Sequence, residues 1–341
     1  MSKRQDKKVG LDLLRLVMSF CVVLIHYWSD QTRPLILQPI AKITGYAVPV
    51  FMFMSFYLTQ KGYLRKDVNY IKKRLWRLVW PQIGWSFVYC GIYMMLDLAF
   101  GTDKIHGISD LWWQLFTGHS PRINPAMWYQ MVISLLTLIY FGIFYYFPIK
   151  TGLISIVVLM ILAVNIQYSE LNFILFGDLR FELKYPLGRI CEMIPYATAG
   201  FLTSYFEVHK KCKKLQIPVA VVTMIFTWIL MNHEFVFSPE GFGYSGVQKV
   251  LIAFGMITLA VMLPFEKLPA GVSNMITLLS KYTLAVYCMH NLIGRFMISV
   301  FIRLGLESGT FFMCVMIYII CYIIAFVISK IPIKLCGQLV E

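Results

Sequence analysis

Charge is scarce in this chain. Only 14% of its 341 residues are Asp, Glu, Lys or Arg, against about 25% in soluble domains. Acidic residues are scarcer still, 17 against 31 basic ones. With 59% hydrophobic residues and a mean hydropathy of +0.69, the composition excludes a soluble globular protein and defines an integral membrane protein. Long polar connections are missing too. No link between apolar runs exceeds about thirty residues, so no separate soluble domain fits. The eight cysteines show neither C-x-x-C pairs nor finger spacing, and read as reduced small hydrophobes rather than a disulfide framework or a metal site. No G-x-S-x-G elbow or zinc motif occurs. The glycine-rich GFGYSG at 241–246 lacks the strand and helix that a nucleotide loop requires. Internal repeats and low-complexity tracts are absent.

What is present is a series of apolar runs. Stretches of roughly 17 to 25 such residues can cross a bilayer. Ten are expected, near 11–29, 45–61, 80–100, 128–147, 152–167, 188–206, 216–232, 246–264, 282–303 and 310–329. The fifth carries the weakest signal. The sequence therefore predicts an all-α, polytopic transmembrane helix bundle of about ten spans, forming one domain over 1–341 with a basic tail at 1–10 and a basic connection at 61–79. The run behind the tail is too long for a signal-peptide core, and no small-residue cleavage site follows it, so it is expected to stay as the first span. One set of connections holds 20 Lys and Arg, the opposite set 8. That asymmetry predicts both termini in the cytoplasm. The formal charge of +14 then reads as an orientation device and a surface for membrane lipids or anionic ligands, not a nucleic-acid footprint.

The first span, LDLLRLVMSFCVVLIHYW, carries Asp12, Arg15 and His26, although ionisable groups in hydrocarbon are costly and usually face a cavity. Arg15 and His26 are eleven residues apart, about 20° from a whole number of helical turns, so they share a face about 16 Å apart along the axis. Asp12 is placed to pair with Arg15 at i, i+3. The structural alternative is that Arg15 snorkels to one surface and His26 caps the other end. The functional alternative is a polar reaction or transport path with His26 as general base.

A second group lies in YIKKRLWRLVWP, 70–81. Arg74 and Arg77 are expected to project together from an amphipathic helix, with Lys72 and Lys73 beside them. Such pairs recognise phosphates by forked hydrogen bonds, and equally anchor a loop to anionic lipid. Third, Tyr287 and His290 sit at i, i+3 in LAVYCMHNLIGRF. Arg189 and Glu192 form a further i, i+3 pair, read as structural. A histidine base without a nucleophile of its own suits direct transfer from a bound donor.

These residues, in order, resemble the acyltransferase-3 family of bacterial integral-membrane acyltransferases. LDLLRLVMSFCVVLIH is similar to its R-x10-H hallmark, falling on Arg15 and His26, and RLWR to its R-x-x-R element, falling on Arg74 and Arg77. VPVFMFMSFYL resembles the second-span pattern V-P-x-F-F-x-x-S-G-Y-L, placing Ser55 in it. MWYQ resembles the tryptophan-aromatic motif with Trp128, and YTLAVYCMHN the S/T-x-x-x-Y-x-x-H pattern ending on Tyr287 and His290. Three departures, Phe56 for the glycine, Ala126 for a histidine and Gln130 for a leucine, are expected to reshape the acceptor side.

The resemblance implies an O-acyltransferase of the bacterial cytoplasmic membrane that moves an acyl group, commonly acetyl from acetyl-CoA, to hydroxyls of cell-surface glycans or small molecules. It implies His26 and Arg15 as catalytic residues and Arg74, Arg77 and Lys73 as binders of the coenzyme's phosphates. Asp12, Ser55, Trp128, Tyr287 and His290 would support or bind substrate, with no metal. The competing readings are a transporter using the same polar line, which needs no coenzyme site, and a membrane scaffold, which leaves Asp12, Arg15 and His26 unexplained.

Overall fold

A computed structural model of the protein describes residues 9–101, 108–119, 124–169, 181–233, 243–332 and 337–340. Most of the basic tail, residues 1–8, lies outside this range, as do Lys104, Arg122, Arg180 and Lys334 of the charge asymmetry. Among the described residues there are helices and no strands. In chain order they are α1 (Val9–Tyr27), α2 (Gln38–Thr44), α3 (Ala47–Leu64), α4 (Val68–Phe100), α5 (Ile108–Thr117), α6 (Trp128–Tyr146), α7 (Ile149–Tyr168), α8 (Phe181–Tyr205), α9 (Val208–Lys211), α10 (Gln216–Asn232), α11 (Val247–Met262), α12 (Ala270–Ser280), α13 (Thr283–Arg303) and α14 (Phe311–Ser329).

All ten expected ranges are helical, including the weak fifth one, which is the regular 20-residue α7. Among the described residues, six helices (α1, α4, α6, α7, α13 and α14) are long and apolar enough to cross a bilayer alone. A seventh span arises if α3 is joined to the segment Leu35–Thr44 across a 42° bend. The shortfall from ten has simple causes. Helices α10 and α11 have 17 and 16 residues, short of the roughly 20 needed. Helix α8 is continuous through Pro186 and Pro195 but carries Lys184, Arg189 and Glu192, which lower its hydropathy.

The basic connection at 61–79 is mostly helix. Asp67 caps α4, its carboxylate accepting from the Tyr70 amide at 2.9 Å, and the helix then runs 33 residues through Pro81 to Gly101, whose φ of 61° ends it. At 1.5 Å per residue it is about 50 Å long, against a hydrocarbon core of about 30 Å. One helix thus carries a polar, basic first part and an apolar second part.

Helix α3 lies at the centre. Val50, Met52, Phe53, Phe56 and Tyr63, on every side of it, are fully buried, as expected for a helix surrounded by others. Phe56 packs on Tyr140 and Tyr63, with ring centroids 4.7 and 5.8 Å away. This departure therefore fills the core between α3 and α6. Gly200 of α8 faces α3 so closely that a Cβ would strike the Phe53 carbonyl oxygen. Backbone cannot yield as a side chain does, so Gly200→Ala is expected to destabilise the protein by about 1–3 kcal/mol. Thermal denaturation in detergent checks this; an unchanged midpoint would refute the close packing.

Candidate functional site

Helix α1 forms one wall of the site. Asp12 and Arg15 are paired at 2.7 Å. One turn on, the Ser19 hydroxyl donates to the Leu16 carbonyl at 2.9 Å and lies 2.9 Å from the Tyr318 hydroxyl of α14. His26, near the end of the helix, lines two cavities. Its ring makes no hydrogen bond with the described residues.

The first cavity, about 580 Å³, is bounded by the loops after α1 and after α13, including Ser29, Gln31, Thr32, Glu307, Ser308 and Gly309. The loops are tied together, since the Ser29 amide donates to the Gly309 carbonyl at 2.9 Å and the Thr32 hydroxyl to the same oxygen at 2.6 Å. The second cavity, about 120 Å³, is lined by Val22, Ile25, Thr44, Ala47, Val48, Ala126 and the rings of Trp128, Tyr185, Tyr244 and Tyr287. Tyr27 packs so tightly on Gly294 that a Cβ there would strike its ring. From Gly294, α13 runs nine residues to Arg303, roughly 13 Å, so His26 lies well below that end of α13.

His290 stands beside His26, ring centroids 5.0 Å apart. It is fully buried. Its Nδ1 lies 2.6 Å from the Tyr287 carbonyl oxygen; a carbonyl only accepts, so Nδ1 carries the hydrogen and Nε2 of the neutral ring is an acceptor. That Nε2 is buried without a partner. Tyr287 itself donates its hydroxyl to the Ala126 carbonyl, and the Asn291 side-chain amide donates to the Asn124 side-chain oxygen at 2.7 Å. Helix α13 is thereby bolted to the turn that opens α6 and positions Trp128. Ala126 acts here through its carbonyl and its small side chain. Gln130 is buried beneath, its amide 3.3 Å from the Cys288 sulfur, and does not line either cavity.

Arg189 braces the aromatic cavity. Its guanidinium lies 4.7 Å from the centre of Tyr185, 5.0 Å from Tyr244 and 5.3 Å from Trp128, a cation–π arrangement. It is paired with Glu192 at 2.5 Å, and Glu192 accepts from the Tyr244 amide at 3.0 Å. Removing one partner of a buried pair costs about 3–5 kcal/mol. Glu192→Ala is therefore expected to lower the thermal midpoint by more than Glu192→Gln, whose amide oxygen still accepts from one of the two donors; equal midpoints for all three proteins would contradict it.

The arginine pair of α4 is split. Arg74 is buried, donating Nη2–H to the Ser55 hydroxyl at 2.6 Å and Nε–H to the Thr137 hydroxyl at 3.3 Å. Arg77, Lys72 and Lys73 are exposed. Residues three apart are rotated by about 60°, which suffices here to turn one inward and the other out, so the expected joint projection does not occur. No carboxylate among the described residues pairs with Arg74. Ser55 and Thr137 each stand nine residues from the ends of α3 and α6, at Leu64 and Tyr146, so the guanidinium lies roughly 13 Å inside the bundle.

The structure thus gathers His26, His290, Tyr287 and Trp128 at one locus and places Arg74 with Ser55 at another. Arg15, paired with Asp12, stands about 16 Å along α1 from His26. Tyr185, Tyr244, Asn124, Asn291 and Glu307 were not marked by the sequence; they are common residue types brought in only by long-range packing. Among the described residues no group of three or more His, Cys, Asp and Glu could hold a metal ion.

Six spanning helices with ionisable groups turned inward define a multi-pass membrane protein. The acyltransferase-3 family model, an acyltransferase domain, matches residues 8–329. The chain belongs to that family and is a membrane acyltransferase. No curated protein and no solved structure matches it.

Proposed function

We propose that the protein is an O-acetyltransferase of the bacterial cytoplasmic membrane, moving an acetyl group from acetyl-CoA to a hydroxyl of a cell-surface polysaccharide or related glycan. Both termini lie in the cytoplasm in this reading, which puts the Arg74 locus towards the cytoplasmic donor and the His26 locus towards the acceptor. The observation that carries it is the position of His26, unpaired and shared by two cavities, where two substrates can meet.

His26 takes the proton of the acceptor hydroxyl as that oxygen bonds to the thioester carbonyl carbon. The carbon–sulfur bond breaks, and His26 returns the proton to the departing thiolate, so the residue ends as it began. His290, held by Tyr287, offers an acceptor nitrogen beside it that fixes the orientation of His26 or of the hydroxyl. Arg74 fits an anionic or carbonyl-bearing donor, since its buried charge has only two hydroxyl partners. Lys73 and Arg77, exposed on the same helix, suit the coenzyme's outer phosphates. Arg15, kept in place by Asp12, is too far from His26 to touch the same atoms and serves the binding path instead.

The test supplies radiolabelled acetyl-CoA to purified protein. Saturable binding, followed by label in the glycan fraction of membranes from cells expressing the protein, supports the reading. No binding by folded protein would sink it and favour transport of an unmodified substrate.

A further inference from the structure

We propose that the small aromatic cavity beside His26 receives the acyl group and restricts it to a short chain, with Tyr244 and Val48 among the walls that set the limit. The proposal rests on the acyltransferase reading above and adds to it the place where chain length is selected.

The two cavities at His26 differ in chemistry. The larger one is lined by Ser29, Thr32, Ser308 and Glu307 together with Ile298, Leu306 and Met313, a mixed wall that suits a polyhydroxylated acceptor better than an apolar chain. The smaller one, about 120 Å³, is lined mostly by aliphatic side chains and four aromatic rings, with Thr44 and His26 among them, and offers an acyl chain largely apolar surface. Arg74 lies deeper in the bundle, since its partners Ser55 and Thr137 stand eight and nine residues along α3 and α6 from the cavity residues Ala47 and Trp128, roughly 12–14 Å, so the cavity is at the far end of the path from that arginine. A carbonyl carbon held at His26 with its chain in this cavity is presented to a hydroxyl arriving from the other.

The walls are braced, which is what a length limit requires. Arg189 stacks on three of the rings and is paired with Glu192. Tyr287 and Asn291 are bonded to the turn at Asn124–Ala126. A rigid apolar pocket discriminates by roughly tenfold or more per methylene that finds no room.

Competition of acetyl-, butyryl- and octanoyl-CoA against radiolabelled acetyl-CoA, on purified full-length protein, tests this. Wild type is expected to bind octanoyl-CoA at least roughly tenfold more weakly than acetyl-CoA. Tyr244→Ala, which removes a wall, brings the two within about threefold, and Val48→Phe, which fills the space, weakens butyryl- relative to acetyl-CoA by a further roughly fivefold. Each ratio is measured within one preparation, so loss of folded protein cancels. Equal binding of all three thioesters by wild type, or ratios unchanged in both variants, would overturn the length limit while leaving the donor assignment standing. Folded wild type that binds none of them would overturn the donor assignment itself.

Discussion

His26→Ala is expected to lower acyl transfer by roughly 10²- to 10⁴-fold, the usual contribution of a positioned general base. Donor binding is expected to fall far less, because in the proposed mechanism the donor's charged part is held at the Arg74 locus rather than at His26. The size of the effect follows from the isolation of the imidazole. Its nearest ionisable neighbour is His290, whose Nδ1 is committed to the Tyr287 carbonyl, and among the residues lining the two cavities the only carboxylate is Glu307. His290 stands behind His26, fully buried, so it cannot replace the lost base without a change of packing. Turnover of purified His26→Ala at the wild-type rate would remove His26 from the reaction. His26→Gln separates proton transfer from hydrogen bonding, since its amide can bond the hydroxyl but cannot take its proton.

The second large effect is expected at Arg74. Charge-assisted hydrogen bonds contribute about 1.5–3 kcal/mol each, so Arg74→Met should weaken acetyl-CoA binding by roughly 10- to 100-fold. Arg77→Ala, at an exposed position, should stay within about threefold, since exposed charge contributes little. The contrast is the informative part. Two equal arginines on a helix surface would lose affinity together, as a phosphate clamp of the R-x-x-R type implies. The burial of Arg74 against Ser55 and Thr137 breaks that symmetry. Arg74→Lys keeps the charge but not the fork, and should fall between. Radioligand binding gives all three values; equal losses at Arg74 and Arg77 would mean that the inward orientation is not the one that binds donor.

The helical bundle was legible because a bilayer leaves few alternatives: an apolar run must satisfy its backbone internally. Hence all ten ranges proved helical, and the weak TGLISIVVLMILAVNIQ is as regular as the rest. How many cross was less legible, since hydropathy cannot tell a 16-residue helix such as α11, packed among neighbours, from a complete span. At the site, Arg15 and His26 were readable from one helix's geometry, and Tyr287 and His290 from another's. Their convergence was not, because it depends on how α1 and α13 pack. Periodicity suggested that Arg74 and Arg77 project together and could not say that the bundle would cover one of them and leave the other exposed. Arg189 and Glu192 were recognised as a pair, yet the aromatic rings around them come from three separate stretches of chain, Trp128, Tyr185 and Tyr244.

Because Asp12 and Arg15 are three residues apart on one helix, they can neutralise each other while α1 is still alone. A lone arginine or aspartate at the centre of a nascent span costs about 2.5–3.5 kcal/mol on insertion scales; a self-paired couple near its end presents a smaller obstacle. The partner that His26 meets is on α13, near the other end of the chain. Biogenesis therefore separates the arrival of His26 and His290 in time. The helix bearing His26 enters the membrane early and without net charge from its acid–base pair, and the His26–His290 pair forms only when one of the last helices arrives. A nascent chain lacking α13 holds His26 without His290 and Tyr287, so under the proposed mechanism the capacity for chemistry is conferred at the final stage of assembly.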